Sequence, residues 1–309
     1  MKLRPFAFTF LLSLLSGLSL FSGPQKFIKD DLGNVFVIGA PPQRIISLAP
    51  NITEILFALE LGDKIVGVTR YCDYPLEVQE KEKIGGMLDL DLEKIKALNP
   101  DLIIGFRGNP LSTLKRLQSL SGRVFILEQG NDLESVFVTI TKIGRITQRE
   151  SEAERLLQSK KNAYERTLAA LQHIRRKPRV FLALHGLGLW TCGKESFLND
   201  LLIKAGSLNV TGNIPKKWIH YSQEKLILDA PEIIIILAKS KEDFLNARAW
   251  FKERTGFDKI PAVKADRIHF LDENLASRYG PRLIDAFAEA ARLIHPEQFN
   301  SDKIPEKND

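Results

Sequence analysis

The chain is poor in the residues that most often mark chemistry. Its 309 residues include two cysteines, two methionines, five histidines and three tryptophans. Two cysteines, Cys72 and Cys192, allow at most one internal disulfide, which excludes a disulfide-dense scaffold. Beyond residue 24 no run approaches the ~20 apolar residues that cross a bilayer. Gly-x-Ser-x-Gly elbows and Walker phosphate loops are absent, which removes the commonest hydrolase and nucleotide-hydrolase signatures. The segment His185-Gly186-Leu187-Gly188-Leu189-Trp190-Thr191 follows a strand-like run but lacks the third glycine of a dinucleotide fingerprint. No basic stripe is interleaved with aromatics, so nothing calls for nucleic acid.

What is present begins with the N-terminus. Lys2 and Arg4 precede an apolar run from Phe6 to Leu15, and small residues follow from Leu18 to Gly23. This pattern predicts a cleavable signal peptide over residues 1–23 and export in soluble form. Ser13, Ser16, Gly17 and Ser19 dilute the run and argue against a permanent anchor, and no cysteine follows it directly to take a lipid. The net charge is +6 over the whole chain, and +4 remains once the two cations of the leader are removed. About 285 residues are left, enough for two domains of common size.

Two segments of that remainder resemble each other. Asp91-Leu92-Glu93-Lys94-Ile95 leads to Asn99-Pro100-Asp101 and the apolar run Leu102-Ile103-Ile104. Ser222-Gln223-Glu224-Lys225-Leu226 leads to Ala230-Pro231-Glu232 and Ile233-Ile234-Ile235-Ile236. Each is a glutamate on a short helix, then proline and an acid, then a buried strand, and the two glutamates stand 131 residues apart. A repeated unit of this kind predicts two similar lobes with a cleft between them.

Around the repeat, apolar strands alternate with helical periods, the pattern of parallel α/β lobes. Lys26–Lys29 and Val35–Ile38 predict a hairpin about Gly33, Arg44–Leu48 a buried strand, and Thr53 the opening of a helix. Residues 148–176 keep a helical period with no internal glycine or proline, which predicts a single helix of about 42 Å. Its position predicts a rigid rod joining an N-terminal lobe (24–147) to a C-terminal lobe (177–300), with a flexible tail at 301–309. Cys72 and Cys192 are expected as free thiols beside the cleft on opposite lobes, His173 and His295 at the surface, and Trp250 packed in the second lobe.

The run Arg44-Ile45-Ile46-Ser47-Leu48-Ala49-Pro50-Asn51-Ile52-Thr53-Glu54 resembles the opening of the periplasmic substrate-binding proteins of ABC importers. The resemblance extends over the mature chain through Tyr71-Cys72-Asp73-Tyr74-Pro75, Gly193-Lys194-Glu195-Ser196, Trp218 and Gly280-Pro281-Arg282, and is strongest to corrinoid-binding members. It implies an α/β fold of two Rossmann-like lobes with a central ligand cleft, joined by a long helix. It also implies a periplasmic location, a monomer, and no catalytic residues, resident metal or cofactor. The ligand is then a corrinoid such as cobalamin.

The same resemblance places Asn51, Tyr71, Met87, Trp190, Trp218 and Arg278 at ligand-contacting positions. Tyr71, Trp190 and Trp218 supply aromatic faces suited to a flat macrocycle. Met87 stands where corrinoid binders carry an aromatic residue, and Trp190 replaces a different aromatic. Glu93 and Glu224 align with the two glutamates that dock on arginines of a dimeric permease, which works with its ATPase subunits. Haem or an iron-siderophore is the alternative cargo, with His185 and His220 as candidate cleft residues, although no close metal-type spacing accompanies them. An exported hydrolase or metal-dependent enzyme is the reading from another class.

Overall fold

The structure, a computed structural model, describes residues 26–184 and 188–299. The expected signal peptide, the tail at 301–309 and His185 lie outside the described residues.

The N-terminal half opens with an antiparallel hairpin of β1 (Phe27–Lys29) and β2 (Val35–Val37). The Asp30 carboxylate accepts the backbone N–H groups of Leu32 and Asn34, and Gly33 takes the left-handed φ of +86° that the turn requires. There follow β3 (Ile45–Ser47), α1 (Pro50–Ala58), β4 (Ile65–Val68), α2 (Leu92–Ala97), β5 (Leu102–Phe106), α3 (Leu111–Ser121), β6 (Val124–Leu127), α4 (Ser135–Thr147) and α5 (Glu150–Ala170). The four strands from β3 to β6 form one parallel sheet in the order β4-β3-β5-β6.

The C-terminal half runs through β7 (Arg179–Ala183), β8 (Trp190–Cys192), α6 (Phe197–Lys204), β9 (Leu208–Asn209), β10 (Trp218–His220), α7 (Gln223–Asp229) and β11 (Ile233–Ala238). It ends with α8 (Lys241–Glu253), α9 (Pro261–Lys264), β12 (Ile268–Asp272), α10 (Glu273–Ala276) and α11 (Leu283–Ile294). Its main sheet is also parallel, in the order β9-β7-β11-β12, while β8 and β10 pair as a separate antiparallel ribbon. Counting from the first strand of each parallel sheet, both halves have the order 2-1-3-4. The repeat seen around Glu93 and Glu224 is therefore a repeat of topology, with α2 entering β5 as α7 enters β11.

Local chemistry accounts for the elements. Every residue of β11 is buried, as a strand covered by helices on both faces must be. Ser196 caps α6 by accepting the N–H of Leu198 at 3.2 Å, and Gly206, at φ +79°, lets the chain leave it. On α11, Leu283, Ile284, Phe287, Ala291 and Ile294 make a continuous apolar stripe, all of it buried. Phe287 packs on Tyr164 of α5 with ring centres 5.4 Å apart, and Tyr164 meets Phe137 of α4 at 5.9 Å. Helix α5 thus touches α4 of the first half and α11 of the second, and Lys160 adds an ion pair to Asp285 at 2.7 Å.

Several expectations need correction. The expected helix over 148–176 is α5 at Glu150–Ala170, 21 residues or about 32 Å. Gln148 adopts a left-handed φ of 57° that separates it from α4, and the chain turns after Ala170. Helix α1 begins at Pro50, not Thr53: proline suits a first-turn position because its missing N–H is not needed there. The Thr53 hydroxyl instead donates to Ser47 Oγ at 2.8 Å in the core. His295 is buried, 4% exposed, with Nε2 3.0 Å from the Gly206 carbonyl oxygen. Cys72 and Cys192 are free, as expected, but they are core residues and not cleft residues. Cys72 sits 3.2 Å from the hydroxyls of both Thr53 and Thr69.

Candidate ligand cleft and docking face

The two repeated helices present their glutamates in the same way. Asp91 caps α2 by accepting the N–H of Lys94 at 3.0 Å, and Ser222 caps α7 by accepting that of Lys225 at 3.1 Å. Glu93 and Glu224 are each the second residue of their helix, and both are exposed. Six residues before each glutamate stands a residue assigned to the ligand, Met87 in one half and Trp218 in the other.

A cavity of about 380 Å³ lies in the second half, lined by Leu184, Trp190, Leu198, Trp218 and Leu237, with Glu273 and Ser277 as polar groups. The β8–β10 ribbon builds its aromatic wall. Trp218 pairs with Cys192, and His220 pairs with Trp190 across the ribbon. The indoles remain 46% and 44% exposed, which is unusual for tryptophan without a partner molecule. The buried Phe197 ring meets Trp218 edge-on at 6.5 Å, and His220 meets Trp190 edge-on at 5.3 Å. Trp250 packs against Phe251 and Phe257 away from this cavity, as expected.

The other assigned residues stand outside the residues that line this cavity. Asn51, which follows β3, donates from Nδ2 to the Tyr279 carbonyl oxygen at 3.2 Å and so touches the opposite half. Tyr71, which follows β4, is 52% exposed, with the Arg70 guanidinium 5.5 Å from its ring centre. Met87 is half-buried, and its carbonyl accepts from Asn109 Nδ2 at 2.9 Å. Asn109 also reaches the Leu48 carbonyl at 3.2 Å, so this buried amide ties the loop of Met87 to the end of β3.

Arg278 is held in an ion cluster between the halves. Its guanidinium contacts Glu54 Oε1 at 3.1 Å and Asp73 Oδ2 at 2.7 Å, and Arg282 reaches Glu54 Oε1 at 2.6 Å. Arg282 also lies 3.8 Å over the Tyr74 ring, a cation–π contact. The hydrogen bond from Arg278 holds the Asp73 carboxyl below the usual carboxylate range. Burial opposes the charge on Arg278, but its bonds to Asp73 and Glu54 outweigh that and raise its pKa. Glu54, Asp73 and Arg282 stand in the family-like runs of the sequence without an assigned function, and Asn109 stands outside those runs. The one available signal was Glu54, an acid on a helix face otherwise occupied by Ile52, Ile55 and Leu56. Among the described residues no three metal-type side chains come together.

A family model for periplasmic binding proteins matches residues 45–275. The chain belongs to the periplasmic binding protein family. An ABC transporter substrate-binding lipoprotein of Bacillus subtilis is 31% identical over 87% of this chain and 86% of its own. The vitamin B12-binding protein of Pectobacterium atrosepticum is 28% identical over 79% of this chain and 86% of its own. Among solved structures, a Staphylococcus epidermidis protein named a possible iron-binding (periplasmic solute-binding) protein is 32% identical. It covers 83% of this chain and 100% of its own, with a TM-score of 0.72. This periplasmic binding protein therefore has the two-lobed α/β fold of the family and is a substrate-binding protein of ABC-importer type.

Proposed function

We propose that this periplasmic binding protein captures a corrinoid in the periplasm and delivers it to a dimeric ABC permease. The observation that carries the ligand class is the pair of half-exposed indoles, Trp190 and Trp218, on an apolar cavity with few polar groups. A flat macrocycle stacks on such faces and leaves its amide fringe to Glu273, Ser277 and Asn51. A cavity of about 380 Å³ takes one face of a corrinoid, and Tyr71 and Met87 contact the remainder from the first lobe.

Delivery uses Glu93 and Glu224. Two exposed carboxylates at equivalent helix positions match two guanidinium groups on a two-fold symmetric partner. The ties between lobes through α5, Glu54 and Asn51 favour a small closing movement over a wide hinge. The charge reversal Glu93→Lys with Glu224→Lys is expected to abolish ATP-dependent uptake while ligand affinity stays near wild type. Normal uptake by the double variant would rule out the docking role.

An iron-carrying ligand, haem or a siderophore complex, is the second reading. It is favoured by the Staphylococcus epidermidis relative and by the exposed His220 ring beside Trp190.

A further inference from the structure

The ion cluster between the lobes has a closed half and an open half. In the closed half the Glu54 side chain is 2% exposed and takes bonds from Arg282 Nε at 3.0 Å and Nη2 at 2.6 Å. Arg282 is itself covered by the Tyr74 ring. In the open half Arg278 offers Nη1 and Nη2 to Asp73, at 2.5 and 2.7 Å. The Asp73 side chain is 51% exposed on the loop after β4, whereas that of Arg278 is 12% exposed. Arg278 follows Ser277, which lines the cavity. Asn274 Oδ1, 3.2 Å from Nη2, and Glu54 keep the guanidinium in place from the other side.

We propose that Asp73 is a displaceable counter-ion. It holds the Arg278 guanidinium and yields it to an anionic group on the ligand, a phosphate or a carboxylate, while Glu54 and Arg282 stay paired. The proposal rests on the reading of Arg278 as a ligand-contacting residue. A guanidinium stays charged and accepts carboxylate and phosphate oxygens in the same forked geometry, so the exchange replaces like with like. The half-exposed Asp73 contact is the weak one to break, because water screens it, while the Glu54 contacts are buried. A neutral group cannot make the exchange without leaving Arg278 short of a partner. Asp73 is thus a selectivity element: it admits ligands that bring their own anion, such as the phosphodiester of a complete cobalamin or the propionates of haem, and disfavours neutral ones.

The test uses inorganic phosphate first, because it needs no knowledge of the natural ligand. Thermal melts of wild type, Asp73→Asn and Asp73→Asn/Arg278→Gln are compared in phosphate and in chloride at matched ionic strength, with Asp73→Ser as a second single variant. Phosphate should raise the melting temperature of the single variants and leave wild type and the double variant unchanged. Titration with cyanocobalamin and with haemin should then show about tenfold tighter binding by Asp73→Asn of whichever ligand wild type binds, a difference of ~1.4 kcal/mol. Equal phosphate responses in all the proteins, or weaker ligand binding by Asp73→Asn, would overturn the proposal. A phosphate response confined to the single variants, with neither ligand bound by wild type, would uphold the counter-ion and count against the corrinoid reading.

Discussion

Arg44 and Arg179 do the same thing in the two lobes. Each stands at the start of the first strand of its sheet and folds back onto the end of the helix that carries Glu93 or Glu224. Arg44 donates to the Leu98 carbonyl from Nε at 3.0 Å and Nη2 at 2.7 Å, and Arg179 donates to the Ala230 carbonyl from Nε at 3.2 Å and Nη2 at 2.9 Å. The acid after the shared proline completes each loop. Asp101 accepts the N–H of Arg44 at 3.0 Å, and Glu232 accepts that of Arg179 at 3.0 Å. Before that proline, Asn99 and Ala230 both take a left-handed φ, 44° and 45°. The repeat seen in sequence is a repeated clamp that ties the end of each glutamate-bearing helix to the first strand of its sheet.

The clamp gives two opposite predictions for one loop. Ala230 holds a conformation that costs a side-chain-bearing residue about 1 kcal/mol, so Ala230→Gly should raise stability by ~0.5–1 kcal/mol. Arg179→Met removes the donors to the Ala230 carbonyl and should lower it by about 1–2 kcal/mol. Urea midpoints at constant slope check both. A lower midpoint for Ala230→Gly would contradict the account of the loop.

Glu54 is the buried centre of the contact between lobes. Removing it leaves two guanidinium groups short of a partner in a site of low exposure, so Glu54→Ala should cost about 3–5 kcal/mol. Chemical denaturation measures this directly, and a loss below about 1 kcal/mol would place the cluster with ordinary surface pairs.

Asp73 adds a pH dependence of known sign. Its folded pKa lies below the ordinary 3.8 because Arg278 bonds the carboxylate. Its contribution to stability is therefore complete above pH 3.8 and is lost as pH falls through the lower folded value. The melting temperature of Asp73→Asn should fall short of wild type at neutral pH and converge with it in strong acid. A gap that widened toward acid would contradict the ion pair.

Much of this fold was legible because its signals are local. The hairpin about Gly33 forms as β1 and β2, the apolar run within Arg44–Leu48 is β3, and the run from Ile233 to Ile236 lies in β11. The caps Asp91 and Ser222 and the left-handed residue before each proline come within one short segment per lobe, so the repeat could be read. The cluster at Glu54 could not, because its partners Arg278 and Arg282 are 224 and 228 residues away. A lone acid on an apolar helix carries no mark of what will neutralise it. His295 misled for the same reason: its helix-end position reads as surface, whereas in the fold its ring is buried against Gly206, 89 residues earlier in the chain. The period over 148–176 contains neither glycine nor proline, so periodicity alone gave no sign that the helix would start at Glu150 and stop at Ala170. Of the site, the aromatic pair was recognisable, whereas the engagement of Arg278 by Asp73 was not.

The thiols should be silent in the native protein. Both cysteines are buried, and burial pushes the Cys192 thiol up to about 12. A chromogenic thiol reagent should react slowly with folded protein and find two thiols per chain after denaturation without reductant. Zero thiols would mean a bridge between lobes and a different relation of Cys72 to Cys192.

The most direct measurement is a fluorescence and absorbance titration of the purified protein with cyanocobalamin, with haemin in parallel, for wild type and Trp218→Ala. Saturable one-to-one binding of cyanocobalamin is expected. It should quench much of the tryptophan emission, since the ligand absorbs where indole emits and two of three indoles line the cavity. Loss of one aromatic wall should weaken that binding by ~1–3 kcal/mol, roughly ten- to a hundredfold in Kd, with little change in melting temperature because Trp218 is 44% exposed. Binding of haemin alone would contradict the corrinoid reading. A Trp218→Ala protein that melts several degrees lower but binds as tightly as wild type would place the ligand elsewhere.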